Sequence, residues 1–370
     1  MRKIGFIVNP IAGMGGRVGL KGTDNEAYKK ALKLGAKPVA PQRAKRFINE
    51  LLRLGVSKYI EFYVAPSIMG EEYLRNTNIK LRVIGELKSK ETTPEDTKNI
   101  SCLMKELVEV IVFVGGDGTA RDIVEIVDKE KPILGVPSGV KIYSSVFATT
   151  PENAARILKY YIEGLAQIRE GEVLDIDEEA FRRDELVVRR HSTALTIYVP
   201  ELVQPSKEPT VPDEDEQENQ RAIARYIMEN MEKNTLYILG PGTTTKAIAD
   251  ELGLPKTVLG VDAIYNNQLI GKDLNEKQIL SLINRYGRAI IIVTPIGGQG
   301  FIFGRGNQQI SPEVIKRVGR NNIIIVATRR KISKLRTLRV DTGDPEVDSM
   351  LKGYIRVVVD YNEEIVVRVE

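Results

Sequence analysis

The run Val110-Ile111-Val112-Phe113-Val114, followed at once by Gly115-Gly116-Asp117-Gly118-Thr119, constrains this chain more than any other stretch. Five β-branched or aromatic residues in a row offer no polar face to water. They read as a strand buried on both sides, the kind found at the centre of a parallel sheet. The three glycines that follow within four residues allow positive φ and let backbone N–H groups approach a bulky anion closely. Asp117 is the only charge in the turn. Thr119 is expected to cap a helix over residues 120–127, whose N-terminus carries partial positive charge. Strand, glycine turn and helix N-terminus together favour a phosphate. A plain strand-to-helix turn satisfies the same residues, because Gly-Gly-Asp-Gly is ordinary turn chemistry.

A second glycine loop strengthens the phosphate reading. The apolar strand at 4–8 empties into Asn9-Pro10-Ile11-Ala12-Gly13-Met14-Gly15-Gly16, and Lys21 follows as a cation able to neutralise phosphate or simply to sit on the surface. Parallel strands place their carboxyl ends on one edge of a sheet, where ligands bind, so two such loops would meet there. Helical patterns at 25–34, 44–54 and 68–75 alternate with extended ones at 59–64 and 81–84, which predicts an α/β fold with an N-terminal doubly wound parallel sheet. Thr93 and Pro94 are expected to start the helix that carries Cys102 on its core face. The strand at 132–136 ends in Pro137-Ser138-Gly139, and Lys141 and Tyr143 just beyond it could meet a phosphate.

The second half also alternates strands and helices and predicts a second, mixed α/β domain. We divide the chain at 1–165 and 166–370, with a mobile proline-rich and acidic loop near 200–218. Asp175 and Asp177 read as a solvated strand edge. Gly240-Pro241-Gly242-Thr243-Thr244-Thr245-Lys246 sits between a strand and a helix, so Gly242, Thr243 and Thr244 form a second candidate anion site, with an ordinary N-cap as the alternative. Arg305 lies among glycines and amides and is expected to be an exposed element able to grip phosphate bidentately.

Composition narrows the partners. At 370 residues, the chain is long enough for two cores. Its 54 basic and 50 acidic residues nearly balance, so nucleic acid is not implied, and Arg329-Arg330-Lys331 reads as a solvated helix face. One cysteine and one histidine, His191, leave no zinc set and no Ser-His-Asp triad, and no metal ligands are assigned. No apolar run approaches a membrane span, and the five-residue apolar stretch after Met1-Arg2-Lys3 is far too short for the apolar region of a signal segment. A cytoplasmic protein without membrane contact, assembled as a homo-oligomer, is expected, and the charge-rich, Trp-free composition fits a hot habitat.

The pentad Gly115 to Thr119 resembles the signature of NAD kinases and of diacylglycerol and sphingosine kinases, and phosphofructokinases carry a close relative of it. The loop Asn9 to Gly16 is similar to the Asn-Pro-x-Ala-Gly-x-Gly pattern of the same superfamily, and Gly240 to Lys246 resembles the Thr-Gly-Ser-Thr loop of NAD kinases. Together with Gly260 to Asp262 and Arg305 to Gln309, these segments look like the archaeal and bacterial branch of the ATP-NAD kinase-like family, which includes proteins associated with acetoin catabolism. The resemblance implies a Mg2+-dependent kinase with ATP or polyphosphate as donor, held by Asn9, Gly13, Gly15, Gly16, Gly115, Gly116, Gly118 and Thr119. Asp117 would orient or deprotonate the attacking hydroxyl, or hold the metal. The implied acceptor is the ribose 2′-hydroxyl of NAD. Another small alcohol, a lipid, or a non-catalytic nucleotide sensor stays open. Well-characterised NAD kinases have a mostly β C-terminal half, unlike the alternating pattern here, so the donor half of the resemblance carries over further than the acceptor half.

Overall fold

A computed structural model describes residues 1–20, 26–87, 89, 91–139, 142–177, 180, 183–185, 187–204 and 213–370. The first sheet contains β1 (Arg2–Val8), β2 (Ile60–Val64), β3 (Lys80–Val83), β4 (Val110–Gly115), β5 (Ile133–Pro137), β6 (Gln167–Ile176) and β7 (Val188–Tyr198), in the order β3-β2-β1-β4-β5-β7-β6. Strands β1 to β5 are mutually parallel. All six residues of β4 are buried, as its unbroken apolar run requires. Alternate residues of the central strands feed two cores. Ile4, Phe6, Val112 and Val114 pack with the helix Ala40–Arg53, while Ile7, Ile111 and Phe113 pack on the opposite face with Ile123 and Val127. This is the expected doubly wound arrangement.

The second sheet contains β8 (Leu236–Leu239), β9 (Asp262–Tyr265), β10 (Gln268–Gly271), β11 (Ala289–Val293), β13 (Ile323–Val326), β15 (Gly353–Asp360) and β16 (Glu363–Val369), in the order β10-β9-β8-β11-β13-β15-β16. Its middle strands β8, β11, β13 and β15 are parallel, with antiparallel pairs at both sides. The short strands β12 (Phe301–Phe303) and β14 (Arg339–Val340) pair separately.

Several local expectations change. The hairpin β6-β7 joins the first sheet, where Thr196 pairs with Ile133 and its hydroxyl donates to the Ile133 carbonyl at 2.8 Å. The division at 165/166 therefore falls before a hairpin that belongs to the first sheet. Of the stretch 200–218, residues 205–212 lie outside the described ones, and Glu214–Glu229 is a helix capped by the Asp213 carboxylate. Cys102 is exposed rather than core-facing, because Ile100, Ser101 and Met104 take the buried face of Pro94–Lys105. Thr93 and Pro94 start that helix as expected, and the structure adds a capping box, with Thr93 and Asp96 bonded reciprocally. Asp175 pairs with Arg121 at 3.2 Å.

Candidate functional site

In the first sheet the strand order reverses between β1 and β4, since the chain runs outward from β1 through β2 to β3 and then returns to β4. The carboxyl edge at such a point is where open α/β sheets bind ligands. Both glycine loops lie there. Asn9 joins them: its backbone N–H donates to the Val114 carbonyl at 2.9 Å, and its Nδ2 donates to the Thr119 hydroxyl at 2.9 Å. Thr119 is therefore a lock between loops and not the expected cap. The helix begins at Asp117, with Gly116 as its N-cap and no side chain bonding its first amides.

The glycines are needed for space more than for unusual φ. None of Gly115, Gly116 and Gly118 has positive φ. A Cβ on Gly115 would lie 2.5 Å from the Thr119 side chain, and one on Gly116 would lie 3.3 Å from the Gly139 Cα. Gly118 opens to space, its nearest neighbour being Arg121 at 4.0 Å. Gly13 does take φ +81°, and a Cβ there would meet the Ser138 carbonyl at 1.9 Å. Gly15 and Gly16 are buried, and Gly16 packs on the Gln308 side chain of the second unit. Close to the Gly13 loop the Ser138 hydroxyl is buried with no hydrogen-bond partner among the described residues. Lys21 and Lys141 lie outside the described residues.

Asp117 is buried, and its carboxylate accepts from the Tyr143 N–H (2.8 Å), the Ser144 N–H (3.0 Å) and the Ser144 hydroxyl (2.6 Å). A carboxylate offers about four lone-pair positions, and three are taken by the loop that follows β5. Asp117 thus fixes the position of residues 143 and 144 relative to the glycine turn. Burial, and next the Asp117 charge, push the Tyr143 phenol's pKa upward, so it stays neutral.

Arg305 is not exposed. It is 6% accessible, donates to the Thr149 carbonyl at 2.8 Å, pairs with Asp341 at 3.3 Å and lies 5.0 Å from the Phe301 ring centroid. Asp341 also takes Arg43 and, at 2.9 Å, Arg46, which in turn holds Glu152. Arg43, Arg46, Thr149 and Glu152 belong to the first unit, and Arg305 and Asp341 to the second. The cluster therefore fastens the two together. Burial pushes the Arg305 pKa down to about 10. Burial alone would raise that of Asp341, but Arg43, Arg46 and Arg305 hold it at about 2.

The second sheet has its own glycine turn after β8. Gly242 takes φ +130° and precedes the helix Thr243–Glu251. Its N–H donates to the Val258 carbonyl at 2.7 Å, and the Thr245 hydroxyl closes the turn onto the Gly240 carbonyl at 2.6 Å. Gln220 Nε2 donates to the Thr243 hydroxyl at 3.0 Å, and Thr244 is buried. The helix has no side-chain cap, so the N-cap alternative for Thr243 and Thr244 does not hold.

The ATP-NAD kinase N-terminal domain family matches residues 4–166, and the ATP-NAD kinase C-terminal domain family matches residues 232–369. The chain belongs to the ATP-NAD kinase-like family. A diacylglycerol kinase from Bacillus anthracis str. Sterne is a solved structure similar to this chain, at 15% identity and a TM-score of 0.22, over 48% of this chain and 46% of its own. This chain thus spans about half the length of that relative. No curated protein matches the sequence. Among the described residues, no helix is long and apolar enough to cross a membrane, and no three His, Cys, Asp or Glu side chains group as a metal site.

Against the ATP-NAD kinase family pattern, the residues that sequence reading passed over are those whose partners come from far along the chain. Arg43 and Arg46 sit on a helix that reads as merely amphipathic, and their partner Asp341 is nearly 300 positions away. Lys331, read as part of a solvated face, is partly buried, with its Nζ 3.4 Å from the Thr294 hydroxyl.

Proposed function

We propose that the protein is an ATP-dependent phosphotransferase that phosphorylates the ribose 2′-hydroxyl of NAD to give NADP. The observation that carries this reading is the meeting of the two glycine loops at the β1/β4 carboxyl edge, joined by the bond from Asn9 to Thr119. Backbone amides of Gly115 to Gly118 and the unpartnered Ser138 hydroxyl suit the oxygens of a triphosphate. Mg2+ would arrive bound to that triphosphate and neutralise its charge. Phosphoryl transfer needs mainly positioning and charge neutralisation, so a site with few side chains suits it. Asp117 acts in this reading through the loop it anchors, placing Tyr143 and Ser144 beside the acceptor hydroxyl.

The test is incubation of the full chain with Mg-ATP, or with Mg2+ and polyphosphate, and a panel of NAD, NADH, polyols and sphingoid bases. Product mass identifies the acceptor. NADP formation is expected. Phosphorylation of another alcohol or of a lipid alone would move the acceptor, and ATP binding without any product would make the protein a nucleotide sensor. Sedimentation of the same sample measures the proposed homo-oligomer.

A further inference from the structure

The second sheet has a strand-order reversal of its own. From β8 the chain runs outward to β9 and β10, then returns to β11 on the other side of β8. The helix after β8 packs in one core with Ile248 and Ala249, and the helix Glu276–Tyr286 before β11 packs in the opposite core with Ile279 and Ile283. The β8/β11 carboxyl edge is thus a second crevice of the kind that binds ligands.

Three observations coincide there. The first amides of Thr243–Glu251 have neither helical partners nor a side-chain cap, and they carry the positive end of the helix dipole. Thr244 is only 2% accessible, yet its hydroxyl makes no hydrogen bond with any described residue, while its oxygen is not sealed in. Beside the turn lies Thr294, whose Cγ2 would be 2.5 Å from a Cβ on Gly242, and the Lys331 ammonium lies 3.4 Å from the Thr294 hydroxyl. No described carboxylate forms an ion pair with Lys331. The carboxylate whose charge reaches it, Glu216, is bonded to the Thr328 hydroxyl at 3.1 Å and is 3.7 Å from Arg330. Burial accordingly pushes the Lys331 pKa down to about 8. A partly buried cation whose described bond is to a neutral hydroxyl, a Thr244 hydroxyl with no described bond, and uncapped helix amides gather around the Gly242 turn, and together they suit an anion.

We propose that the β8/β11 edge is a binding site for a phosphate monoester, held by the amides of Thr243 to Thr245, the Thr244 hydroxyl and the Lys331 ammonium. The phosphorylated end of a small substrate or free phosphate would meet the same groups. The site stands independently of the kinase reading, because its residues belong to the other sheet and its test measures binding.

The experiment titrates the full chain with inorganic phosphate and, separately, with ribose 5-phosphate, following backbone amide chemical shifts. The amides of Thr243, Thr244 and Thr245 should shift saturably. Thr244→Ala and Lys331→Met should each raise the apparent Kd roughly tenfold, as loss of a charge-assisted bond implies. Thermal melts confirm folding, and Lys331→Gln replaces any variant that fails to fold. Tighter binding of the sugar phosphate assigns the site to a substrate, and equal binding to free phosphate. Either result upholds it. Shifts confined to Gly115–Gly118, or an unchanged Kd in both folded variants, would overturn it.

Discussion

The two carboxyl edges solve the same local problem with different side chains. At each, a buried strand ends in glycines, a helix starts without a side-chain cap, and an amide side chain donates to a threonine hydroxyl of the turn. Asn9 does this to Thr119 at 2.9 Å, and Gln220 does it to Thr243 at 3.0 Å. The first edge spends the Asp117 carboxylate on a neighbouring loop and meets the second unit where Gly16 packs on the Gln308 side chain. The second edge keeps an ammonium bonded only to a neutral hydroxyl, and a Thr244 hydroxyl with no hydrogen bond, among the described residues. A glycine turn at a helix N-terminus therefore does not fix its own chemistry; the residues that the rest of the fold brings against it do.

The largest test of this contrast is Asp341→Ala. Removing the acid leaves Arg43 and Arg305 buried without it, while half-buried Arg46 keeps Glu152, and breaking such a group costs about 3–5 kcal/mol. Chemical denaturation should show that loss, with Mg-ATP affinity falling and phosphate binding at the second edge spared. A wild-type midpoint would mean that the units are held by other contacts. The pH dependence has a definite sign. The folded pKa of about 2 lies below the roughly 3.9 of an unfolded aspartate, so the contribution is complete above pH ~4 and is lost as pH falls toward 2.

Asp117→Asn comes next. The amide NH2 would face one of the N–H donors of Tyr143 or Ser144, which leaves a buried donor unsatisfied and costs about 1–3 kcal/mol. Phosphotransfer should drop on the order of 100-fold or more as the loop is misplaced. A variant that loses activity at an unchanged melting temperature would return Asp117 to the role of base or metal ligand.

What the sequence made legible follows from range. Local patterns located β4, the two glycine loops, the helix start at Thr93-Pro94 and the parallel first sheet, because strand burial and turn chemistry are written in adjacent residues. The site's electrostatics were not local. Nothing near Arg305 says that Asp341 and Phe301 enclose it, and nothing near Asp117 says that Ser144 will claim its oxygens. The reading of the pentad glycines as positive-φ positions also failed for this reason. Gly115 is glycine because Thr119 fills the place of its side chain, a contact that only the assembled turn reveals.

Gly116→Val sharpens the contrast at smaller scale. Its Cβ would already lie 3.3 Å from the Gly139 Cα, so the γ-methyls must project into the space between the loops. Mg-ATP affinity measured by calorimetry should fall about tenfold or more, or ~1.4 kcal/mol. The amides of Thr243 to Thr245 should still respond to phosphate. Unchanged ATP affinity in the folded variant would make the first edge a plain turn.

The smallest effects come from the matched bonds. Asn9→Ala and Gln220→Ala each remove one amide-to-threonine hydrogen bond, and each should cost about 0.5–1.5 kcal/mol in a denaturant melt. The Asn9 change should cost slightly more, because its Oδ1 also accepts from the Ile11 N–H at 3.3 Å. The double variant decides whether the edges are independent. They lie on different sheets with no shared bond among those described, so the two losses should add to within about 0.3–0.5 kcal/mol. A larger interaction energy would mean that a change at one glycine turn is felt at the other. Contacts able to carry it lie where the units meet, among them the Asp341 cluster, Gly16 on Gln308, the Arg17 carbonyl accepting from the Glu276 N–H at 3.1 Å, and Asp184 holding the Val258 N–H at 2.6 Å. Of these, Asp184 reaches the second edge most directly, since the Val258 carbonyl takes the Gly242 N–H. Repeating the cycle with Asp184→Ala as a third change would abolish the coupling if that residue transmits it.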